Sequence, residues 1–371
     1  MVIAGAGASG LGVGAALARR GIHTVLLDRD SHIGGTWARR YDRLHLHTVR
    51  RFSGLPYHPL SRTYPRYVPT KSYARYLADY ARQFQLDVRL GQTLRRVRRN
   101  DGGWIIETDR EWRARAVVIA MGRHNIPRMP EWPGVHDFSG RLLHSHVYTN
   151  GHQLAGRRVL VIGIGNSGAE IAADLAESGA AQVSIAVRTS PPITSREIAG
   201  IPVQLLGMFF AHFPPAFVDR LGFRLRRMGN GDLRPYGLEE EKWGPFTARR
   251  PPVIDVGFLA LLKAGRIAVR PDIARFTRTG VVFTDGREAR VDAVVAATGY
   301  TTGLSAILDA DGVLDPRGYP LVDSPSAGLY FAGYSESPRG QLYESARAAP
   351  GLARRIDGDL RTRSRTSPTA R

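Results

Sequence analysis

The chain has 371 residues, enough for two or three domains with cores of their own. Its 43% hydrophobic and 23% charged residues are those of a globular protein, not of a disordered or fibrous one. It contains no cysteine, which excludes disulfides, thiolate nucleophiles and thiolate metal sites and suits a reducing, cytoplasmic compartment. The formal net charge of +19 is almost all arginine, with lysine only at positions 71, 242 and 263. The arginines are scattered and no nucleic-acid-reading module accompanies them. They read first as a surface bias and second as a field that attracts polyanions such as pyrophosphates.

In chain order, Met1 to Ala4 reads as a short buried strand. It runs into Gly5-Ala6-Gly7-Ala8-Ser9-Gly10, a helix to Gly21, and a strand from Ile22 to Leu27 that ends at Asp28. Strand, glycine loop, helix, strand and acid form the dinucleotide-binding βαβ unit. Gly5 permits the tight turn, Gly7 lets backbone approach a pyrophosphate, and Gly10 lets helix and strand pack. The helix N-terminus offers free N–H groups to phosphate, and Asp28 is placed to accept hydrogen bonds from ribose hydroxyls. The opening strand is short for its kind, which suggests a late recorded start or a frayed ladder. It lacks the basic segment of a signal peptide.

The plan recurs at Arg158 to Val187. The strand Val159–Ile162 leads into Gly163-Ile164-Gly165-Asn166-Ser167-Gly168, a helix to about Gly179 and the strand Val183–Val187. Here Arg188-Thr189-Ser190 replaces the acid. A carboxylate there would repel a 2′-phosphate, whereas Arg attracts one. The first site therefore suits FAD or NAD and the second NADP. Each loop also has a downstream apolar strand ending in glycine, Val117 to Gly122 and Val294 to Gly299. Each of these follows a hairpin, one turning near Asn100-Asp101-Gly102 and the other near Asp285-Gly286.

The expected fold is α/β, with two Rossmann-like dinucleotide-binding domains, the NADP domain inserted into the FAD domain. The first part of the FAD domain spans 1–150 and the NADP domain 151–291. A substrate or lid insertion lies near 191–250. The FAD domain resumes over 292–355, and 356–371 reads as a disordered basic tail. The apolar stretch Ile201 to Val218 is too interrupted, by Gln204, His212, Pro214 and Pro215, to span a membrane. A lid or a surface-seeking patch is the alternative.

Between the two units, Phe138-Ser-Gly140-Arg-Leu-Leu-His144-Ser-His-Val-Tyr148 resembles the FxGxxxHxxx(Y/F) stretch of flavin-containing monooxygenases. Gly34-Gly35-Thr36-Trp37 resembles that family's GGxW, GIGNSGAE its NADP loop, and Ala297-Thr298-Gly299-Tyr300 its ATGY. The runs RLHLHTVRRFSGLP and YPRYVPTKSYARYLADYA are similar to the plant indole-3-pyruvate monooxygenases of the YUCCA type. So are Tyr236-Gly237-Leu238, Gly244-Pro245, Pro252 to Gly257, Gly265 to Ile267 and Gly328 to Gly333. The likeness covers nearly the whole chain and weakens over Pro192 to Leu233.

The resemblance implies FAD and NADPH as cofactors, with molecular oxygen and a small organic molecule as substrates; a homodimer is one assembly open to the chain, and its oligomeric state is not legible in the sequence. It implies a flavin 4a-hydroperoxide that oxygenates nitrogen or sulfur or, in the YUCCA manner, oxidatively decarboxylates a 2-oxo acid. The rival is an NAD(P)H-dependent reductase or dehydrogenase that never oxygenates. The implied cofactor contacts are Gly5, Gly7, Ala8, Ser9, Gly10, Asp28, Gly35, Thr36, Trp37, Leu46 and His47. They continue with Gly163, Gly165, Asn166, Ser167, Gly168, Arg188, Thr189, Thr298, Gly299 and Gly333. The implied catalytic pair is His47, which aligns beside the flavin where animal-type members carry Asn, and Asn166.

Plainer readings apply elsewhere. The His-x-His pair of His45 and His47 suggests packing or hydrogen bonding rather than metal ligation. Tyr73, Tyr76, Leu77, Tyr80 and Phe84 stand at helical spacing and read as a core face. His144 and Tyr148 read either as fixing the interdomain linker or as having a direct cofactor or hinge role.

Overall fold

Short apolar runs buried on both faces need ladder partners on both sides and helices above and below. The computed structural model, which describes residues 1–366, shows this arrangement twice. In chain order the first unit contributes β1 (Val2–Ala4), α1 (Ala8–Ala18), β2 (Val25–Leu27), α2 (Thr70–Gln83), β3 (Asp87–Arg89) and β4 (Val117–Ile119). The second contributes β5 (Arg141–His144), β6 (Arg158–Ile162), α3 (Asn166–Glu177) and β7 (Gln182–Ala186). It continues with α4 (Val203–Phe210), α5 (Pro215–Asn230), β8 (Ala268–Arg270) and β9 (Ala293–Ala296). The chain then returns through β10 (Leu329–Phe331) and ends in α6 (Gln341–Thr366).

The two five-stranded sheets have the same order, β10-β4-β1-β2-β3 and β5-β9-β6-β7-β8. Every pairing in both is parallel. Each unit also carries a three-stranded antiparallel meander just before its third long strand, at 96–114 in the first and 273–290 in the second. Only the fifth strand differs in origin. The first unit takes it from the C-terminal side as β10, the second from the N-terminal side as β5.

Three expectations need correction. The second unit is not confined to 151–291, because β5 lies before it and β9 after it. β9 pairs directly with β6, Val159 opposite Ala293, and β5 closes the other side of β9. A parallel sheet centred on β6 requires both, so the first sheet is rejoined only at Leu329. The opening strand is not frayed, since Val2–Ala4 is paired with β2 on one side and β4 on the other.

Nor is 356–366 a disordered tail. α6 continues to Thr366 and buries Ala349, Ala353, Ile356 and Leu360 in the core that also holds α1. Arg20 on the α1 side binds Asp357 at 3.0 Å. The basic composition hid an apolar stripe at helical spacing. The remainder of the expected tail, 367–371, lies outside the described residues.

Helix α2 does present a core face. Tyr73, Tyr76, Leu77 and Tyr80 are buried. Their phenols donate to backbone oxygens of the 53–58 loop, Tyr73 to Ser53, Tyr76 to His58 and Tyr80 to Pro56. Among the described residues no helix is long and apolar enough to cross a membrane.

Candidate active site

Both glycine loops are built alike. Gly5 has φ +106° and Gly163 φ +96°, backbone conformations that L side chains rarely adopt. A methyl group at Gly10 would sit 1.9 Å from the Gly5 carbonyl oxygen, and one at Gly168 would sit 1.9 Å from that of Gly163. These glycines are fixed by packing behind the loop. Gly7 and Gly165 have ordinary negative φ, and a Cβ on either meets no atom of the chain. Packing within the chain therefore does not require glycine at either position.

One cavity of about 1080 Å³ connects the two loops. Gly5, Gly7, Ala8, Ser9, Asp28, Gly35, Thr36, Trp37, Leu46, His47 and Gly333 line it from the first unit. Gly165, Asn166, Ser167 and Gly299 line it from the second. Asp28 follows β2 and accepts backbone N–H bonds from Ala6 at 2.7 Å and Asp30 at 2.9 Å. Burial lifts its carboxyl above the ordinary range, against those two bonds. It thus braces the glycine loop, and each oxygen keeps a lone pair for a ribose hydroxyl.

Next to it Asp30 binds Arg39 at 2.7 Å and lies under Gly35, where a Cβ would be 2.5 Å from its carboxylate. Trp37 meets Tyr73 edge-on at 5.1 Å between ring centres. Gln341 donates to Gly333 O at 2.7 Å, and Ser9 to Ser345 at 3.0 Å, which ties α6 to the first loop.

Around the second loop, Asn166 Oδ1 accepts from Ile254 N at 2.7 Å and its Nδ2 donates to Pro252 O at 3.3 Å. Arg188 and Thr189 follow β7, exposed and outside the cavity wall. Thr298 is likewise off the wall, its hydroxyl donating to Arg128 O.

The stretch from Phe138 to Tyr148 proves to be a set of locks. A Cβ at Gly140 would lie 2.3 Å from the Phe138 ring, which packs on Phe276 of the meander. His144 Nδ1 accepts from His146 N at 3.0 Å, so Nε2 carries the proton and donates to Gly299 O at 3.0 Å. Burial holds His144 below the ordinary imidazole range, in keeping with this neutral form. Tyr148 donates to Asp174 on α3 at 2.6 Å.

A family model described as flavin-binding monooxygenase-like matches residues 1–310. The chain belongs to that family. It is similar to the indole-3-pyruvate monooxygenase YUCCA1 of Oryza sativa subsp. japonica, 35% identical over 382 residues that cover 99% of this chain and 93% of that one. Its likeness to YUCCA6 of Arabidopsis thaliana is 36% over 356 residues, covering 90% and 85%. Among solved structures it resembles the flavin-containing monooxygenase of Stenotrophomonas maltophilia, with a TM-score of 0.74, 26% identity and coverage of 97% and 98%. An oxidized steroid monooxygenase bound to NADP shares the fold at a TM-score of 0.78 and 20% identity, covering 98% of this chain and 85% of that one.

As a flavin-binding monooxygenase, the chain shows features that its motifs did not reveal. Helix α3 carries acids at 170, 174 and 177, and each is met by the first unit or the linker. Glu170 meets Tyr41 and His47, Asp174 meets Tyr148 and the Gly151 amide, and Glu177 meets Arg43. Spacing of i, i+4 and i+7 on an otherwise apolar helix is a sequence signal for such a seam. Other unforeseen contacts have no such signal. Arg123 pairs with Glu336 on the cavity wall, and Gln204 on α4 accepts from Val49 N at 2.8 Å while donating to Arg339 O at 2.8 Å.

The insertion supplies the cavity's outer wall. Leu206, Gly207 and Phe210 of α4 and Leu221, Gly222 and Leu225 of α5 face it.

Proposed function

We propose that this monooxygenase acts on a 2-oxo acid with an apolar side chain, splitting off carbon dioxide, with FAD and NADPH as cofactors and the cytoplasm as its compartment. The observation that supports the chemistry is that two glycine loops of like build open on one cavity. An acid backs the first and an arginine follows the second strand of the other. The likeness to the indole-3-pyruvate monooxygenases over nearly the whole chain supports the substrate class.

When bound, NADPH supplies a hydride and FAD the activation of molecular oxygen. The remaining work is the chain's. The first loop and the α1 N-terminus would hold the FAD pyrophosphate, with Asp28 at its ribose and Trp37, Leu46, His47 and Gly333 around the flavin. The second loop and the α3 N-terminus would hold the NADPH pyrophosphate, with Arg188 at the 2′-phosphate. Leu206 and Phe210 of α4 and Leu221 and Leu225 of α5 would give the reacting end an apolar stretch suited to an aryl or alkyl group, with the polar Gln204, Asp219, Arg226 and Asn230 also on the wall. His47 and Asn166 are the polar side chains assigned to that end. The balance is one 2-oxo acid, one O₂ and one NADPH with a proton going to a carboxylic acid one carbon shorter, carbon dioxide, water and NADP⁺.

The test supplies indole-3-pyruvate, other 2-oxo acids, amines and sulfides in turn and measures NADPH, O₂ and CO₂ together. Equal consumption of NADPH and O₂, with matching CO₂ from a 2-oxo acid, is expected. Oxygenation of amines or sulfides with no CO₂ from any 2-oxo acid would overturn the substrate class.

A further inference from the structure

Glu170 stands one turn into the helix that begins at the NADP loop, between Ala169 and Ile171 in the apolar core of the second unit. It is only 2% exposed. A carboxylate taken out of water is costly unless donors surround it, and an alanine or leucine would fill this space without that cost. Its donors come from the other unit. Oε2 accepts from the Tyr41 hydroxyl at 3.1 Å, and Oε1 lies 3.1 Å from His47 Nε2. His47 and its neighbours Leu46 and Thr48 line the cavity beside Trp37 and Gly333. His47 Nδ1 is buried with no partner among the described residues.

We propose that Glu170 is a positioning residue. Held between Tyr41 and His47, it keeps the flavin-side wall at 46–48 in register with the NADP loop on its own helix. The idea rests on reading that loop as the NADPH site. A carboxylate is the side chain of this size that accepts from two donors at once. The contact with Glu170 keeps the His47 proton on Nε2, because a proton on the partnerless Nδ1 would be a buried, unsatisfied donor.

The shape of a glutamine at 170 is nearly unchanged, but it offers one acceptor and one donor. Glu170→Gln therefore cannot accept from both neighbours: with its oxygen on His47, its amide faces the Tyr41 hydroxyl donor to donor unless that hydroxyl turns away from its present bond. Tyr41→Phe removes one neighbour and leaves His47 in contact. In Tyr41→Phe/Glu170→Gln the amide oxygen is again free for His47, and Ser167, which hydrogen-bonds the Tyr41 hydroxyl, remains nearby.

The experiment is stopped-flow reduction of the flavin by NADPH in the full-length holoenzyme, with flavin content and NADP⁺ affinity measured on the same samples. Glu170→Gln is expected to keep its FAD and its NADP⁺ affinity while reduction slows about tenfold, as for loss of one charge-assisted contact. Tyr41→Phe should slow by no more than about twofold, and the double variant should recover most of the parent rate. A purely structural role would instead lower flavin content or thermal stability, with the double variant worse than either single one.

A fully flavinylated Glu170→Gln protein that reduces at the parent rate overturns the proposal. So does a double variant slower than Glu170→Gln, or one that loses FAD along with it. A parent protein that NADPH does not reduce overturns the underlying reading, and the proposal with it.

Discussion

Gly7 and Gly10 stand three residues apart in one loop and are glycine for different reasons. A side chain at Gly10 collides with the Gly5 carbonyl whether or not a ligand is bound, whereas one at Gly7 meets nothing in the chain. Gly7→Val is therefore expected to fold and to purify colourless. Gly10→Ala should lose stability itself, by about 1–3 kcal/mol or more for an overpacked contact against backbone. Absorbance at flavin wavelengths and a melting curve on each variant check both. A yellow Gly7→Val protein would remove that loop from the FAD site.

Arg188, after β7, stands in the second unit where Asp28 stands after β2 in the first. It is exposed and makes no hydrogen bond or ion pair among the described residues. A charge-assisted contact to a 2′-phosphate is worth roughly 1.5–3 kcal/mol. Arg188→Ala should thus weaken NADPH by about tenfold or more and leave NADH kinetics nearly unmoved. Equal losses with both nucleotides would make Arg188 structural. Gly5, Gly10, Gly163 and Gly168 were legible in sequence because a tight turn and close packing each demand glycine. The brace that Asp28 gives to Ala6 was not, because it depends on how close two separate turns come in space.

At the scale of elements, helix α3 joins the loop to the seam between units. Its Asp174 receives both the Tyr148 hydroxyl and the Gly151 amide. Tyr148→Phe leaves the amide bond and removes the phenol bond. It should cost about 1–2 kcal/mol of stability by denaturant melts, with flavin still bound. No change in stability would mean that the Tyr148 bond does not tie linker to helix.

The resemblance identified the Phe138 to Tyr148 stretch but not its work. Gly140 under the Phe138 ring, and His144 bonded to Gly299, join residues up to 155 positions apart in the chain. Such contacts leave no local period to read. The end of the chain shows the opposite failure. Ala349, Ala353, Ile356 and Leu360 do follow a helical period, but arginines crowd the exposed side, and composition alone suggested disorder.

For the whole molecule, the repeated plan of strand, glycine loop, helix and meander was visible because local patterns recur at matched spacing. The exchange of outer strands was not. β5 and β9 lie outside the boundaries that the glycine loops suggested, and only the ladders Val159–Ala293 and Ala293–Arg141 assign them. This interleaving puts both loops on one cavity, with α4 and α5 as its outer wall.

The most direct test follows the oxygen. The protein is supplied with NADPH, ¹⁸O₂ and a 2-oxo acid such as indole-3-pyruvate, and the products are weighed by mass spectrometry. One labelled oxygen in the shortened carboxylic acid, with one NADPH consumed for each product, is the expected result. NADPH consumed with the label found only in hydrogen peroxide or water, whatever substrate is offered, would contradict the account and leave a flavin reductase in its place.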